Sequence, residues 1–426
     1  MNNHSSLRAR ITCAAIILLA AITLSAAAWA QVGRGPSRTV YVEPGVNKIS
    51  EAARNLSNGS GLILGFCDYK QTEPIVIPAG VTSFEILGMG PGSSRVRFTA
   101  DCDGIVTSTS GNFADMIERC RIENLSLEMA GSSGERTAIR VWASETNVYI
   151  NPSVSIRNVT IDRVDGGGYW GVGIDLIGAK EFIIDDVHIR HMPRLNAGYQ
   201  AKGVGVRLQS CVCGSLRDVQ VNEARLAVDI VKAEDRYIVD PNKHGCEGIT
   251  FDGFVIYKVV DGFSLGEKAL NMLFSNGTIA SVQRYAIYEP SFDANGGYHS
   301  IRALWIDSDP TWTVPESGAI LLRRPGTVVD GINVSNTSAV PWHGVILTSG
   351  APISAVDKCM FRACGYSVFV QSYKNTISRN KSLYTRGGCS ILITPGAFNN
   401  VIGGNIMDGG IMNQGQGNKV IDNMGY

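Results

Sequence analysis

The sequence predicts an all-β fold built as a solenoid of stacked coils, on three observations. Strand-length segments of alternating apolar and polar residues recur at intervals of 20–35 residues over most of the chain. No stretch with the period of an amphipathic helix stands between them. Glycine is abundant (48 residues) and charged residues are sparse (18%), a balance that favours strands and turns over surface helices.

The chain opens with Arg8 and Arg10, the apolar run Ile11 to Leu24, and Ala28-Trp29-Ala30. A basic start, an apolar core and a small-residue site describe a secretory signal peptide over residues 1–30, cut near Ala30. The run is too short for a membrane anchor, and no later segment approaches a membrane span. A secreted or periplasmic product is expected. Loss of Arg8 and Arg10 takes the 38 basic residues to 36, against 38 acidic ones. This near-neutral balance gives no electrostatic reason to expect nucleic acid or an anionic membrane as partner. Of ten cysteines, nine remain once Cys13 leaves with the signal, and an odd count leaves at least one unpaired thiol. Cys211-Val-Cys213 has no companion pair or histidine at zinc-site spacing, so buried core cysteine is the reading.

Two patterns define the coils. The first is a tetrapeptide beginning with a small residue: Ala138-Ile-Arg-Val141, Gly173-Ile-Asp-Leu176, Gly205-Val-Arg-Leu208, Ala227-Val-Asp-Ile230 and Gly262-Phe-Ser-Leu265. It continues as Ala286-Ile-Tyr-Glu289, Ala319-Ile-Leu-Leu322, Gly344-Val-Ile-Leu347, Ser367-Val-Phe-Val370, Ser390-Ile-Leu-Ile393 and Gly410-Ile-Met-Asn413. The second reads "IENLSLEM" at 122, "IRNVTIDRV" at 156, "IDDVHIRHM" at 184 and "LRDVQVNEA" at 216. Its alternation has the period of two expected of strands with one buried face. An asparagine, aspartate or glycine stands where a tight turn needs a residue tolerant of unusual backbone angles. A single coil cannot bury its own apolar face, so stacking supplies the core, and uneven spacing means loops of varied length between strands.

These repeats resemble the right-handed parallel β-helix superfamily of pectate lyases, polygalacturonases and phage tailspikes. The resemblance implies a single-stranded solenoid of roughly ten to twelve coils with an N-terminal helical cap. Residues 31–80 are similar to a cap with first strands, and 81–426 to the β-helix. Ile49 to Leu56 looks like the capping helix, "GLIL" and "PIVIP" like first strands, and "LGMGPG" like the turn that follows.

"GVGIDLIGAKEFIIDDVHIRH" (171–191) shows how polar residues distribute on a coil. Ile174 and Leu176 point inward, so Asp175 points out; Asp185-Asp186 occupies a turn, as Arg157-Asn158 and Arg217-Asp218 do in neighbouring coils. The acidic pair resembles that of polygalacturonases only superficially, and the Gly-His-Gly and Arg-x-Lys motifs of those hydrolases are absent. In register with Asp175 stand Arg140, Arg207 and Asp229, on coils about 4.8 Å apart. One reading is a surface salt-bridge ladder, each pair worth about 0–1 kcal/mol. The other is a catalytic column. Asp175 and Asp229, about 9.6 Å apart by strand spacing, would be acid and base of a hydrolase near the upper end of the inverting separation. In a lyase, as the resemblance implies, Arg207 or Lys202 would take the proton and Arg140 would hold a uronate carboxylate. A second outward column holds Asp162, His188, Arg190, Gln220 and Asn222, continued by Trp305 and Asp307; it reads as a solvated face, with a glycan or a neighbouring subunit as the alternative occupant.

The insertions "DGGGYWG" (165–171), "HMPRLNAGYQAKG" (191–203) and "SDPTWTVPESG" (308–318) gather at one corner, where they would wall a groove. They bring Tyr169, Trp170, His191, Tyr199 and Trp312 as candidate sugar-stacking and substrate-binding residues. No cofactor is specified; calcium is admissible if Asp175 or Asp229 meets loop oxygens. The expectation is an exported, polysaccharide-active protein that cleaves an acidic (uronate-containing) or bacterial surface glycan, as polysaccharide lyase or glycoside hydrolase. The alternative is a non-catalytic glycan-binding or structural surface protein, since fold alone does not decide. A monomer and a homotrimer are both admitted.

Overall fold

The structure is a computed structural model that describes residues 38–108, 113–131, 134–143, 153–164, 168–191, 203–237, 245–293, 295–311 and 313–425. The signal segment, Tyr199, Lys202 and Trp312 lie outside the described residues, as do 165–167 and most of the 191–203 insertion.

Every strand pairing is parallel, and each strand pairs with its counterpart one coil away. The chain therefore winds as a parallel β-helix with three faces, here sheets I, II and III. In one coil, Ile183 to Asp185 belongs to sheet I, Val187 to Arg190 to sheet II, and Val204–Gln209 to sheet III. The inward residues of successive coils fuse into one apolar core running from Val42 to Met407. Each sheet is covered on its inner face by the other two, which is how a parallel sheet exists without crossover helices. Helix α1 (Lys48–Ala53) lays Ile49 and Ala53 against the first coil. It stops short of Leu56, whose amide turns back to the Ala53 carbonyl in a tight turn.

The corner between sheets I and II is made by one residue in the left-handed region. From Asn124 it runs through Asn158, Asp186, Asp218, Gly253, Asn276, Ala303, Gly331, Lys358, Arg379 and Gly404 to Asp422, with φ between 48° and 67°. The turn chemistry expected from sequence covers most of this column. Ala303, Lys358 and Arg379 show the fold imposing the angle on residues that do not favour it.

The small first residue of each tetrapeptide also has a structural cause. A Cβ on Gly262 would stand 2.2 Å from the Ala286 carbonyl oxygen, and one on Gly344 2.3 Å from that of Ser367. The backbone of the next coil passes too close for larger side chains at these points.

The C-terminal coils carry two interior asparagine ladders. The Asn375 amide and side-chain nitrogens both donate to Asn400 Oδ1 (2.9 and 3.0 Å), and those of Asn400 donate to Asn418 Oδ1 (2.9 and 3.0 Å). Asn380, Asn405 and Asn423 repeat the arrangement five residues later. Each buried amide thus satisfies backbone groups that the turn between sheets leaves without a ladder partner.

Candidate functional site

Sheet III carries the expected column. Register places Arg140 beside Asp175, Asp175 beside Arg207, and Arg207 beside Asp229. The side chains close on one another. Arg140 Nε lies 3.2 Å from Asp175 Oδ2, Gln209 Nε2 donates to Asp175 Oδ1 at 2.6 Å, and Arg207 Nε lies 3.3 Å from Asp229 Oδ2. Arg140 also reaches Thr137 Oγ1 (2.7 Å) and Asp103 (3.6 Å). Asp175 is only 3% exposed, so its carboxylate is committed to Arg140 and Gln209. Asp229 differs. Burial raises its carboxyl above the ordinary range, against the pull of Arg207.

Two of the expected sugar-contacting residues are corrected by their burial. Trp170 is fully buried and packs edge-on against Phe98, ring centroids 5.4 Å apart. It stands where the chain enters sheet III, so the ring fills the corner instead of lining a groove. His191 follows directly on a sheet II strand and is equally buried, its Nδ1 2.9 Å from the Trp170 carbonyl. Burial drives its pKa down to about 4. Tyr169 is half-buried, its ring close over Gly134.

Farther along the same face, the outward position changes character. After Arg140, Asp175, Arg207 and Asp229 it holds Ser264, Tyr288, Leu321, Ile346, Phe369 and Leu392. Over Leu321, Ile346 and Phe369 lies a groove of about 740 Å³. One wall comes from the sheet II–III corner and includes Glu316; the other comes from the sheet III–I corner, with Phe292, Pro325, Pro352 and Tyr373. Phe292 is 63% exposed, and Tyr373 stacks on Phe398 at 4.9 Å. An apolar floor with a few convergent polar groups is the usual composition of a ligand site.

The polar groups are individually defined. The Tyr366 amide donates to His343 Nδ1 (3.0 Å), so the neutral imidazole carries its proton on Nε2 and donates it to Glu316 Oε2 at 3.3 Å. Burial lowers the His343 pKa, which favours that neutral form, and Tyr366 stacks on the ring at 5.0 Å. At the end nearer the ladder, Asp261 holds the Arg284 guanidinium through both carboxylate oxygens, and Arg284 lies over the rings of Tyr285 and Tyr288. Burial raises the phenol pKa of both tyrosines. On the far wall Arg323 lines the groove with its Nε buried and without a hydrogen-bond partner.

The second outward column, on sheet II, is closed by Arg190 and Asp162, which meet at 2.7 and 2.9 Å. Trp305 on that face is 51% exposed, and its indole donates to Asp307 Oδ2 at 2.6 Å. Among the described residues no three His, Cys, Asp or Glu side chains are grouped to hold a metal ion, and the nine cysteines are all unpaired thiols. No helix of the described residues is long and apolar enough to cross a membrane.

No family model and no characterised relative matches the sequence. Solved structures match the fold. The catalytic domain of a GH87 alpha-1,3-glucanase in complex with tetrasaccharides superposes with a TM-score of 0.58 at 12% identity, over 85% of this chain and 67% of that one. The catalytic unit of the thermostable GH87 alpha-1,3-glucanase from Streptomyces thermodiastaticus strain HF3-3 gives 0.52 at 10% identity, over 92% and 70%. A tailspike protein of E. coli bacteriophage HK620, in complex with pentasaccharide, gives 0.54 at 11%, over 86% of this chain and 64% of the tailspike. At these identities the likeness establishes the fold, a right-handed parallel β-helix.

Proposed function

We propose that the protein is an exported, polysaccharide-active β-helix protein that lays a glycan strand along the outer face of sheet III. The observation that carries this reading is the groove over Leu321, Ile346 and Phe369, with aromatic walls and the Glu316–His343 pair at its edge. Sugar rings present apolar faces and polar rims, and this groove offers aromatic surface with a few fixed polar groups. The glycan-bound state of the β-helix neighbours supports the same class of ligand. The signal pattern at the N-terminus supports export.

A second reading, cleavage as well as binding, is favoured by Asp229. Its raised pKa suits a general acid. Asp175, about 9.6 Å away by strand spacing, is held by Arg140 and Gln209, so Asp229 is the carboxylate of the pair on which a hydrolytic role would rest. The lyase roles assigned from sequence to Arg140 and Arg207 are the weaker part of the proposal, because both guanidiniums are engaged by carboxylates.

Affinity electrophoresis of the mature protein through gels carrying neutral, uronate-containing and bacterial surface polysaccharides tests the groove. At least one glycan retards the wild type, and Phe369→Ala with Tyr373→Ala weakens that retardation. Parallel assay of new reducing ends, with Asp229→Asn as control, reads cleavage. Failure of every glycan to retard the protein, or unchanged retardation of the double variant, overturns the groove assignment.

A further inference from the structure

The arginines of sheet III are not alike. Arg140 is held by Asp175 and Asp103, Arg207 by Asp229, and Arg284 by both oxygens of Asp261. Arg324, fully buried, spends its guanidinium on the carbonyls of Leu265, Gly266 and Ala269. Arg323 alone among these five meets no carboxylate or carbonyl oxygen among the described residues. Its Nε is buried without a partner, and the residue lines the groove. Its backbone is fixed, since the Arg323 and Arg324 amides both donate to the buried carboxylate of Glu289. A groove-lining arginine on an anchored backbone, with a desolvated donor left unpartnered, is an unsatisfied demand for an acceptor.

We infer that Arg323 is an anion subsite of the groove, which takes a carboxylate, sulfate or phosphate group carried on one edge of the bound glycan. The inference rests on the glycan reading of the groove. It moves the charge-recognising group away from Arg140 and Arg207. The planar guanidinium is suited to fork onto two oxygens of such a group. Charge on the two walls sets the orientation. Glu316 stands before the Gly318–Leu322 strand and Arg323 after it, so the walls differ in sign. A strand carrying its anions on one edge is accepted with that edge toward Arg323 and repelled by Glu316 the other way round.

The test compares matched oligosaccharides by isothermal titration: a uronate oligomer, its carboxyl-reduced neutral counterpart, and sulfated and phosphorylated oligomers of the same backbone. The wild type is expected to bind one anionic form at least 10-fold tighter than the neutral one, and that form identifies the anion. Arg323→Gln is expected to remove this preference, weakening the anionic form at least 10-fold more than the neutral one. Arg323→Lys, which keeps charge without the fork, should restore part of it. If the wild type binds neutral and anionic forms equally, or if the preference survives in Arg323→Gln, the anion subsite is overturned and the groove stands. If the wild type binds none of them, the glycan reading itself falls.

Discussion

Replacing Glu289 with alanine should loosen the wall of the groove that carries Arg323 before any other part of the solenoid. The side chain is fully buried. One oxygen accepts the amides of Arg323 and Arg324, and the other lies 3.1 Å from His299 Nε2. His299 Nδ1 is itself occupied by the Met272 amide at 3.2 Å, so the imidazole proton belongs on Nε2, facing Glu289. Removal of the carboxylate abandons two buried donors, the backbone amides of Arg323 and Arg324. Two abandoned donors at about 1–3 kcal/mol each set a cost of about 2–6 kcal/mol. Coils contact only their neighbours, so the loss is local. Amide exchange of Arg323 and Arg324 is therefore the assay. Protection should fall by roughly 30-fold or more, while that of Ile156 and Val187, several coils away, is unchanged. Glu289→Gln, which keeps one acceptor oxygen, should lose less. A fall under about 5-fold in the alanine variant, or a loss spread evenly over the molecule, refutes the anchoring role of Glu289.

Two further outcomes follow from buried polar groups. With its pKa lowered to about 4, His191 takes up its proton in the unfolded chain at higher pH than in the folded one. Stability is then full above about pH 6.5 and falls as the pH drops toward 4, by up to roughly 3 kcal/mol. Denaturant titrations of His191→Gln should show that slope reduced by one proton, and an unchanged slope would sink the assignment. Asn400→Ala removes the acceptor of two Asn375 donors and should cost at least about 2 kcal/mol. Asn418→Ala, where the side chain is only half-buried and water can replace the amide, should cost less; equal losses in thermal melts would contradict the ladder account.

The solenoid was legible because its signal is repeated. Period-two alternation and the small-residue tetrapeptide recur in coil after coil, so an error in one copy does not disturb the register. The site was legible only in part, and the reason lies in which outward residues attract notice. Arg140, Asp175, Arg207 and Asp229 stand out by charge, yet charge on adjacent rungs is where ion pairs consume one another. The groove lies at the same position of later tetrapeptides, in Leu321, Ile346 and Phe369. An apolar residue repeated at a position that should face water was the available signal. Trp170 and His191 were misplaced because an insertion's length does not tell which of its residues fold back under the sheet. The asparagine ladders were written in the sequence as "NTISRN", "NVIGGN" and "NKVIDN". An asparagine there reads equally as a turn residue, so the sequence alone does not mark a ladder. Nothing local in the sequence marks Arg323, whose meaning comes from oxygens that are not there.

The one-residue corner between sheets I and II has a consequence for how such a protein changes over time. That corner has no room to lengthen, since each coil crosses it with a single residue in a fixed conformation. The other two corners carry all the long insertions from Asn124 onward, and both of them border sheet III. Chain added to this scaffold therefore lands beside the groove, raising or reshaping its banks without disturbing the stacked interior. Sequence drift in length is thereby steered toward the surface that meets a ligand, and the back of the molecule is held constant.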